Sequence, residues 1–386
     1  MLDISEIRKS INSIDDQILA LLSERTKLYK DVAQFKFNNG KNITDNSREN
    51  AHLHDLMLKA EKLSVNPDLV SNIYDKIFED SRAHQNSYIK SLITENKTYS
   101  NHLTIAFLGE EGTYSYLASY KYFNYIVDKV TEKHCKSFQE IVDSVENNEA
   151  DFALLPIENS SSGCINEVYD ILQETNTKIV GELTYPIEHC LLSACPSDLS
   201  QVTQIFAHPQ PLSQCANFIK DKLPNAKLVN CTSSSDAMKK VKALNSPNAV
   251  AIGCKEAGEL YELAPIASKI ANQKYNITRF IVINKNSISV PHHIPAKTSI
   301  IFTAPNIPGA LVKVLQLFSS RNINVVKIQS RPLSSSLKEH MPWDENFYAD
   351  IHENISSPTL IEALNELKEI SSYVRVLGCY PREIKD

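Results

Sequence analysis

In this 386-residue sequence, the side chains best suited to chemistry are polar ones standing where an apolar periodicity asks for hydrophobic residues. Ile4, Ile7, Ile11, Ile14, Ile18 and Leu21 recur at spacings of 3 and 4 and continue through Leu28, Val32 and Phe35; the step at position 25 is Arg. Lys36 follows Arg25 by about three helical turns, ~16 Å along the same face. A second series, Leu53, Leu56, Ala60 and Leu63, is led by Glu49 with Arg48 beside it. A third, Val70, Tyr74 and Ile77, runs on into Ser81, with Gln85 one turn further. One inward charge would be a structural salt bridge. Polar groups on the inward face of three helices outline a cationic pocket for a small polyanion. No Ser-His or Cys-His pair and no metal-ligand cluster accompanies them, so the chemistry they suit is conformational restraint with electrostatic stabilisation.

A second group lies further along. Phe152–Leu155 is a short apolar run expected to form a doubly buried strand, ended by Pro156, which has no N–H for the ladder. Glu158, Asn159, Ser160, Ser161, Ser162 and Gly163 follow, and Ile165–Leu172 resumes with helical spacing. That pattern predicts a strand-to-helix turn, whose free amides and hydroxyls would suit an anion or simply cap the helix. Another strand, Asn276–Ile283, opens with Thr278, Arg279 and Phe280, which on propensity and alternation alone are ordinary strand residues.

The elements that must position these groups fall into three textures. Residues 1–92 hold one Gly and one Pro and read as three helices, the third starting at Asn66-Pro67. A polar stretch over 93–103 reads as a linker. Residues 104–284 alternate strands and helices. They are entered by a strand over Leu103–Leu108 and include a Gly109-Glu110-Glu111-Gly112 turn leading to Ser115, and a second lobe from about Tyr185. Residues 298–378 run strand, helix, strand, strand, helix, strand, the ferredoxin-like order.

Composition sets the class. With 42% hydrophobic and 22% charged residues the chain reads as a soluble globular protein. A net charge of −6 without basic runs argues against nucleic acid, and no apolar run reaches membrane-spanning length. The eight Cys form no Cys-x-x-Cys pair, and the first residues have no signal-peptide core. The expectation is a cytoplasmic protein without bound metal.

The residues quoted from the helical segment resemble the all-helical chorismate mutase family: Arg8, Arg25, Lys36, Asp45, Arg48, Glu49, Ser81 and Gln85 stand at its pocket positions. The resemblance implies that Arg8 and Arg25 grip the carboxylates of chorismate. Lys36 and Gln85 would donate to the ether oxygen, and Glu49 and the Asp45 backbone would hold the ring hydroxyl. Gly112–Ser115, Pro156–Gly163, His208-Pro209-Gln210-Pro211, Ser233–Ser235 and Thr278–Phe280 resemble the prephenate dehydratase family over about 105–283. This implies a two-lobed periplasmic-binding-like α/β fold. Thr278 would be the general acid, Arg279 a carboxylate ligand and Phe280 a ring contact, with Ser115, Glu158, Asn159, Ser160 and Gln214 lining the site. Ala207 stands where relatives often have Ser.

Pro308-Gly309-Ala310-Leu311, Gln329-Ser330-Arg331-Pro332 and the run through Trp343 resemble amino-acid-binding ACT domains. The resemblance implies L-phenylalanine as effector, held by Gly309, Ala310, Leu311, Gln329 and Ser330. Gln329 replaces the Glu that most such domains carry. The order of the three segments resembles the bifunctional chorismate mutase/prephenate dehydratase family, which implies prephenate as the shared intermediate, no cofactor, and a homodimer or higher homo-oligomer. A sensing protein without turnover is the alternative. A dehydrogenase is disfavoured because Gly109–Gly112 does not supply a dinucleotide-binding loop.

Overall fold

The computed structural model describes residues 3–41, 45–95, 102–123, 129–333 and 345–382. The expected linker core (96–101) and Trp343 lie outside these described residues. Two compact units result: Met1–Thr98 with Pro291–Pro295, and Tyr99–Val290 with Ala296–Asp386.

The first unit is helical. Helix α1 (Ile4–Asn38) is capped by Asp3 and runs unbroken through both Arg8 and Arg25. Helix α2 (Asn46–Lys62) is capped by Asp45, whose carboxylate accepts from Arg48 N at 3.1 Å. Helix α3 (Pro67–Glu95) packs against both. The C-terminal half of α1 buries Tyr29 and Ala33, and the Tyr29 ring lies 5.7 Å from His84 on α3. Its N-terminal half finds no cover among the described residues: residues 3–24 are all exposed, with Ile11 at 51% and Leu21 at 65%. The predicted stripe on α3 is one position out of phase. Phe78, Gln85, Ile89 and Ser91 are buried, while Tyr74, Ile77, Ser81 and Tyr88 are half-buried.

The second unit carries three sheets. The first has strand order Lys129–Cys135, His102–Leu108, Phe152–Asn159, Ile277–Asn284, Lys178–Pro186. The second has order Ala264–Ala267, Cys190–Ser193, Ala249–Gly253, Gln204–Ala207, Lys227–Asn230. These are the cores of the two expected lobes. The third sheet has order Val325–Pro332, Glu345–Ile351, Ala296–Thr303, Val374–Pro381. With helices Ala310–Ser319 and Pro358–Ile370 it forms the expected α+β arrangement.

Two local expectations are corrected. Pro156 does not end its strand, which runs on to Asn159. The register against Ile277–Asn284 shifts there: Phe280 pairs with Pro156 and Arg279 with Glu158, leaving Ile157 as the extra residue of a bulge. A bulge is one of the few sheet positions that tolerates a missing N–H. The serine-rich stretch is also no helix N-terminus. Gly163, at φ +82°, turns the chain back so that Gly163–Cys164 pairs antiparallel with Asn159 and Glu158. The helix starts only at Asn166, without a side-chain cap.

The third sheet is packed directly on the first. Ile301, Tyr348, Leu377 and Tyr380 share one core with Leu155, Tyr169 and Ile283. At Gly378 an added Cβ would stand 1.9 Å from the carbonyl oxygen of Ile179. No other side chain fits that approach.

Candidate active sites

In the helical unit the structure brings Lys36, Gln85 and Ser81 together. Lys36 Nζ donates to Gln85 Oε1 at 3.0 Å, and Gln85 Nε2 donates to Ser81 Oγ at 2.9 Å. Gln85 is 5% exposed, so its amide is held in one orientation by partners on both sides. Burial lowers the pKa of Lys36, opposed in part by the nearby carboxylates of Glu49 and Asp45. Glu49 is itself paired, Oε2 to Arg82 Nη1 at 2.5 Å.

Arg82 escaped the sequence reading. Its signal was the spacing Phe78, Arg82, Gln85, the true inward face of α3. Arg25 packs over the Tyr29 ring, with its Cζ 5.3 Å from the centroid, while Asp45 and Arg48 are exposed at the start of α2. Arg8 is not brought to the group. On an unbroken helix it lies roughly 25 Å from Arg25, more than one small molecule can span.

In the second unit a cleft of about 1040 Å³ is lined by residues of both lobes, among them Thr278, Asn159, Phe280, Ser115, Gln214 and His189. The Asn159 carboxamide has a determined orientation. Its Oδ1 accepts from the backbone N–H groups of Ser161 and Ser162 at 2.9 and 3.0 Å, and those groups can only donate. Nδ2 must therefore face the other way, where it donates to Thr278 Oγ1 at 2.9 Å and to Asn276 Oδ1 at 2.7 Å. The Thr278 hydroxyl is thus an acceptor towards Asn159, which leaves its own proton free for another acceptor, and Thr278 lines the cleft. Accepting a hydrogen bond also polarises the O–H bond and makes it a better donor.

Gln214 Oε1 lies 2.8 Å from Nε2 of His189, whose Nδ1 is 3.1 Å from the Tyr114 hydroxyl. Burial lowers the His189 pKa. His189 belongs to no motif with chemical spacing in the sequence and so gave no signal.

Glu158 and Arg279 are not in this cleft. On alternating strand positions they point to the opposite face and line a separate cavity of about 370 Å³ beside the third sheet. Arg279 Nε pairs with Glu158 Oε1 at 2.6 Å, and Nη1 with Asp350 Oδ2 at 2.7 Å and Glu182 Oε2 at 3.1 Å. The expected use of Arg279 as a substrate-carboxylate ligand, and of Glu158 as a cleft residue, is corrected accordingly. Ser160 is exposed and accepts from Ile277 N at 2.9 Å; Ser162 is the serine of this loop that lines the cleft.

In the C-terminal domain Gly309 adopts φ +82° before helix Ala310–Ser319, with Ala310 buried and Leu311 half-buried. Gln329 faces the dehydratase-like part: its Oε1 accepts from the Cys164 thiol at 3.1 Å, and its Nε2 donates to the carbonyl of Ser330.

A helical pocket without a nucleophile, a two-lobed cleft with one polarised threonine hydroxyl, and a ferredoxin-like domain define a multidomain enzyme with an appended regulatory module. Three family models match in the same order: chorismate mutase type II over residues 7–86, prephenate dehydratase over 105–288 and the ACT domain over 298–369. The bifunctional chorismate mutase/prephenate dehydratase of Enterobacter agglomerans is 40% identical, covering 98% of this chain and 95% of its own. The chain belongs to the bifunctional chorismate mutase/prephenate dehydratase family.

Among solved structures, the prephenate dehydratase of Arthrobacter aurescens in complex with L-Phe is 26% identical with a TM-score of 0.62. It covers 72% of this chain and 90% of its own. GqqA, described as a quorum-quenching acylase, is 28% identical with a TM-score of 0.63 over 72% of this chain and 98% of its own.

Proposed function

We propose that the helical unit rearranges chorismate to prephenate and that the cleft converts prephenate to phenylpyruvate, CO2 and water, both without a cofactor. L-Phenylalanine acts on the ACT domain as feedback effector, in line with the L-Phe bound in the Arthrobacter relative. In the first reaction Lys36 and Gln85 donate to the ether oxygen, where negative charge grows as the C–O bond breaks. Arg25 holds one carboxylate, and Arg8 of a second copy holds the other. Ser81, Asp45, Arg48 and the Glu49–Arg82 pair enclose the ring.

In the second reaction the bond to the ring carboxylate breaks and its electron pair completes the aromatic ring. The ring hydroxyl departs with its C–O electron pair and takes the Thr278 proton, leaving as water; solvent reprotonates Thr278. The observation that carries this reading is the hydrogen bond from Asn159 to the cleft-lining Thr278, which leaves the hydroxyl proton free to be donated. Carboxylate binding falls to the N-termini of helices Tyr114–Phe123 and Ser234–Leu244, one from each lobe, whose first residues line the cleft.

Two unpartnered apolar surfaces support a homodimer or larger assembly: the exposed stripe of α1, and Ile307, Val312, Leu315 and Ile328 on the ACT domain. No helix among the described residues is long and apolar enough to cross a membrane, and the site of action we propose is the cytoplasm. Incubating the purified chain with chorismate and following phenylpyruvate tests the whole sequence. Accumulation of prephenate alone would remove the dehydratase assignment, and no consumption of chorismate would remove the mutase.

A further inference from the structure

The cleft and the ACT domain meet at the same two strands, back to back. Thr278 pairs across the ladder with Asn159, and the next pair is Arg279 with Glu158. The first pair faces the cleft; the second faces the ACT domain, because side chains alternate along a strand.

Everything that holds the second pair from outside these two strands is buried or half-buried, and most of it comes from the ACT sheet. Asp350 Oδ2 accepts from Arg279 Nη1 at 2.7 Å, while its Oδ1 accepts from Ser299 Oγ at 2.6 Å. Lys327 Nζ pairs with the Glu158 oxygen that Arg279 Nε does not use. Lys297 Nζ pairs with Glu182 at 2.7 Å, and Glu182 reaches Arg279 in turn. Three cations balance three carboxylates. Burial alone would raise the pKa of Glu158 and Asp350, but the Arg279 charge, with Lys327 and Lys297, holds both below the ordinary range. In such a network, removal of one member leaves its partner charged, desolvated and displaced. The bulge at Ile157 adjoins the Arg279–Glu158 pair on the side away from Thr278–Asn159, so the register at this pair depends on side-chain anchoring more than on an unbroken ladder.

We propose that Asp350 and Lys327 of the ACT domain are positioning residues for the dehydratase step. By fixing Arg279 and Glu158 they hold the adjoining Thr278–Asn159 pair in the geometry that presents the Thr278 proton to substrate. This rests on the dehydratase reading given above. It assigns a positioning role for the chemistry of the cleft to side chains outside the dehydratase segment. It also explains why Arg279 adjoins the acid without reaching the cleft.

The test uses the full chain. Lys327→Met and Asp350→Asn should each lower kcat on prephenate by about tenfold, with KM within about twofold, because a misplaced acid slows the chemical step and leaves binding intact. Chorismate mutase activity, in the separate helical unit, should be unchanged. Lys327→Arg should recover most of the kcat. In a Thr278→Val background Lys327→Met should have little further effect, since its route runs through the missing hydroxyl; a merely structural role would still lower the rate there. The Lys327 side chain is 27% exposed, so that series decides the matter if Asp350→Asn does not fold. Native kcat in folded Lys327→Met, or a full additional loss in the Thr278→Val background, overturns the proposal while native turnover keeps the dehydratase reading. Absence of prephenate turnover by the native chain overturns both.

Discussion

At the scale of single residues, the dehydration we propose turns on the Thr278 hydroxyl and the Asn159 amide that donates to it. Thr278→Val keeps the shape of the side chain and deletes the proton donor. It should lower dehydratase kcat by about 10²-fold or more, the usual contribution of a positioned general acid, with mutase activity intact. A near-native rate on prephenate would remove Thr278 from that role. Gln329 is a subtler case. It stands where the sequence resemblance leads one to expect a glutamate, and it accepts from the Cys164 thiol. If an anion there supports effector binding, its absence weakens a charge-assisted hydrogen bond of about 1–2 kcal/mol. Gln329→Glu should then lower the half-inhibiting phenylalanine concentration about 5- to 30-fold, read by titrating the effector against dehydratase rate. An unchanged midpoint would show that the neutral amide serves equally well.

At the scale of elements, α1 is the most informative. A single helix from Ile4 to Asn38 carries Arg8 and Arg25 too far apart for one ligand, and its N-terminal half exposes an apolar stripe. Both facts are satisfied if α1 of one copy lies along the helices of another. Mixing Arg8→Ala and Arg25→Ala chains should restore part of the mutase activity, because one of the two sites in a mixed dimer regains both arginines. No recovery, despite subunit exchange seen by tagged pull-down, would count against shared sites. The close approach at Gly378 makes a separate claim. Gly378→Ala forces the edge strand off the Ile179 carbonyl and should destabilise the second unit by about 2–3 kcal/mol, measured by chemical denaturation.

At the scale of the whole molecule, the two activities reside in different compact units and should separate by mutation and by pH. Lys36→Ala removes the charged donor we propose for the breaking ether bond, so mutase kcat should fall about 10²-fold while prephenate turnover is unchanged. Burial lowers the Lys36 pKa below the ordinary 10.5. The protonated form therefore detracts from stability at neutral pH, and that penalty is relieved as pH rises from the folded value towards 10.5. Mutase activity, which needs the charge, should decline at a lower alkaline pH than an unperturbed lysine gives. A pH–rate profile of kcat that stays flat through this range would release Lys36 from its role.

Much of this was legible in the sequence because it depends on local rules. Periodicity of 3 and 4 gave the helices, alternating textures gave the α/β and ferredoxin-like segments, and helical spacing gave Lys36, Ser81 and Gln85, which hydrogen-bond to one another. What only the tertiary structure decided lay in pairings between distant strands. Phase on α3 turns on which neighbours pack against it, so Arg82 was missed and the stripe was placed one residue off. A proline in an apolar run looks terminal until the partner strand supplies a bulge to absorb it. Thr278 and Arg279 are adjacent in sequence, and nothing local says which faces a substrate cleft and which a buried ion network. The third sheet decides that, because a guanidinium can be buried only where carboxylates from other segments meet it, and those carboxylates are Glu158, Glu182 and Asp350.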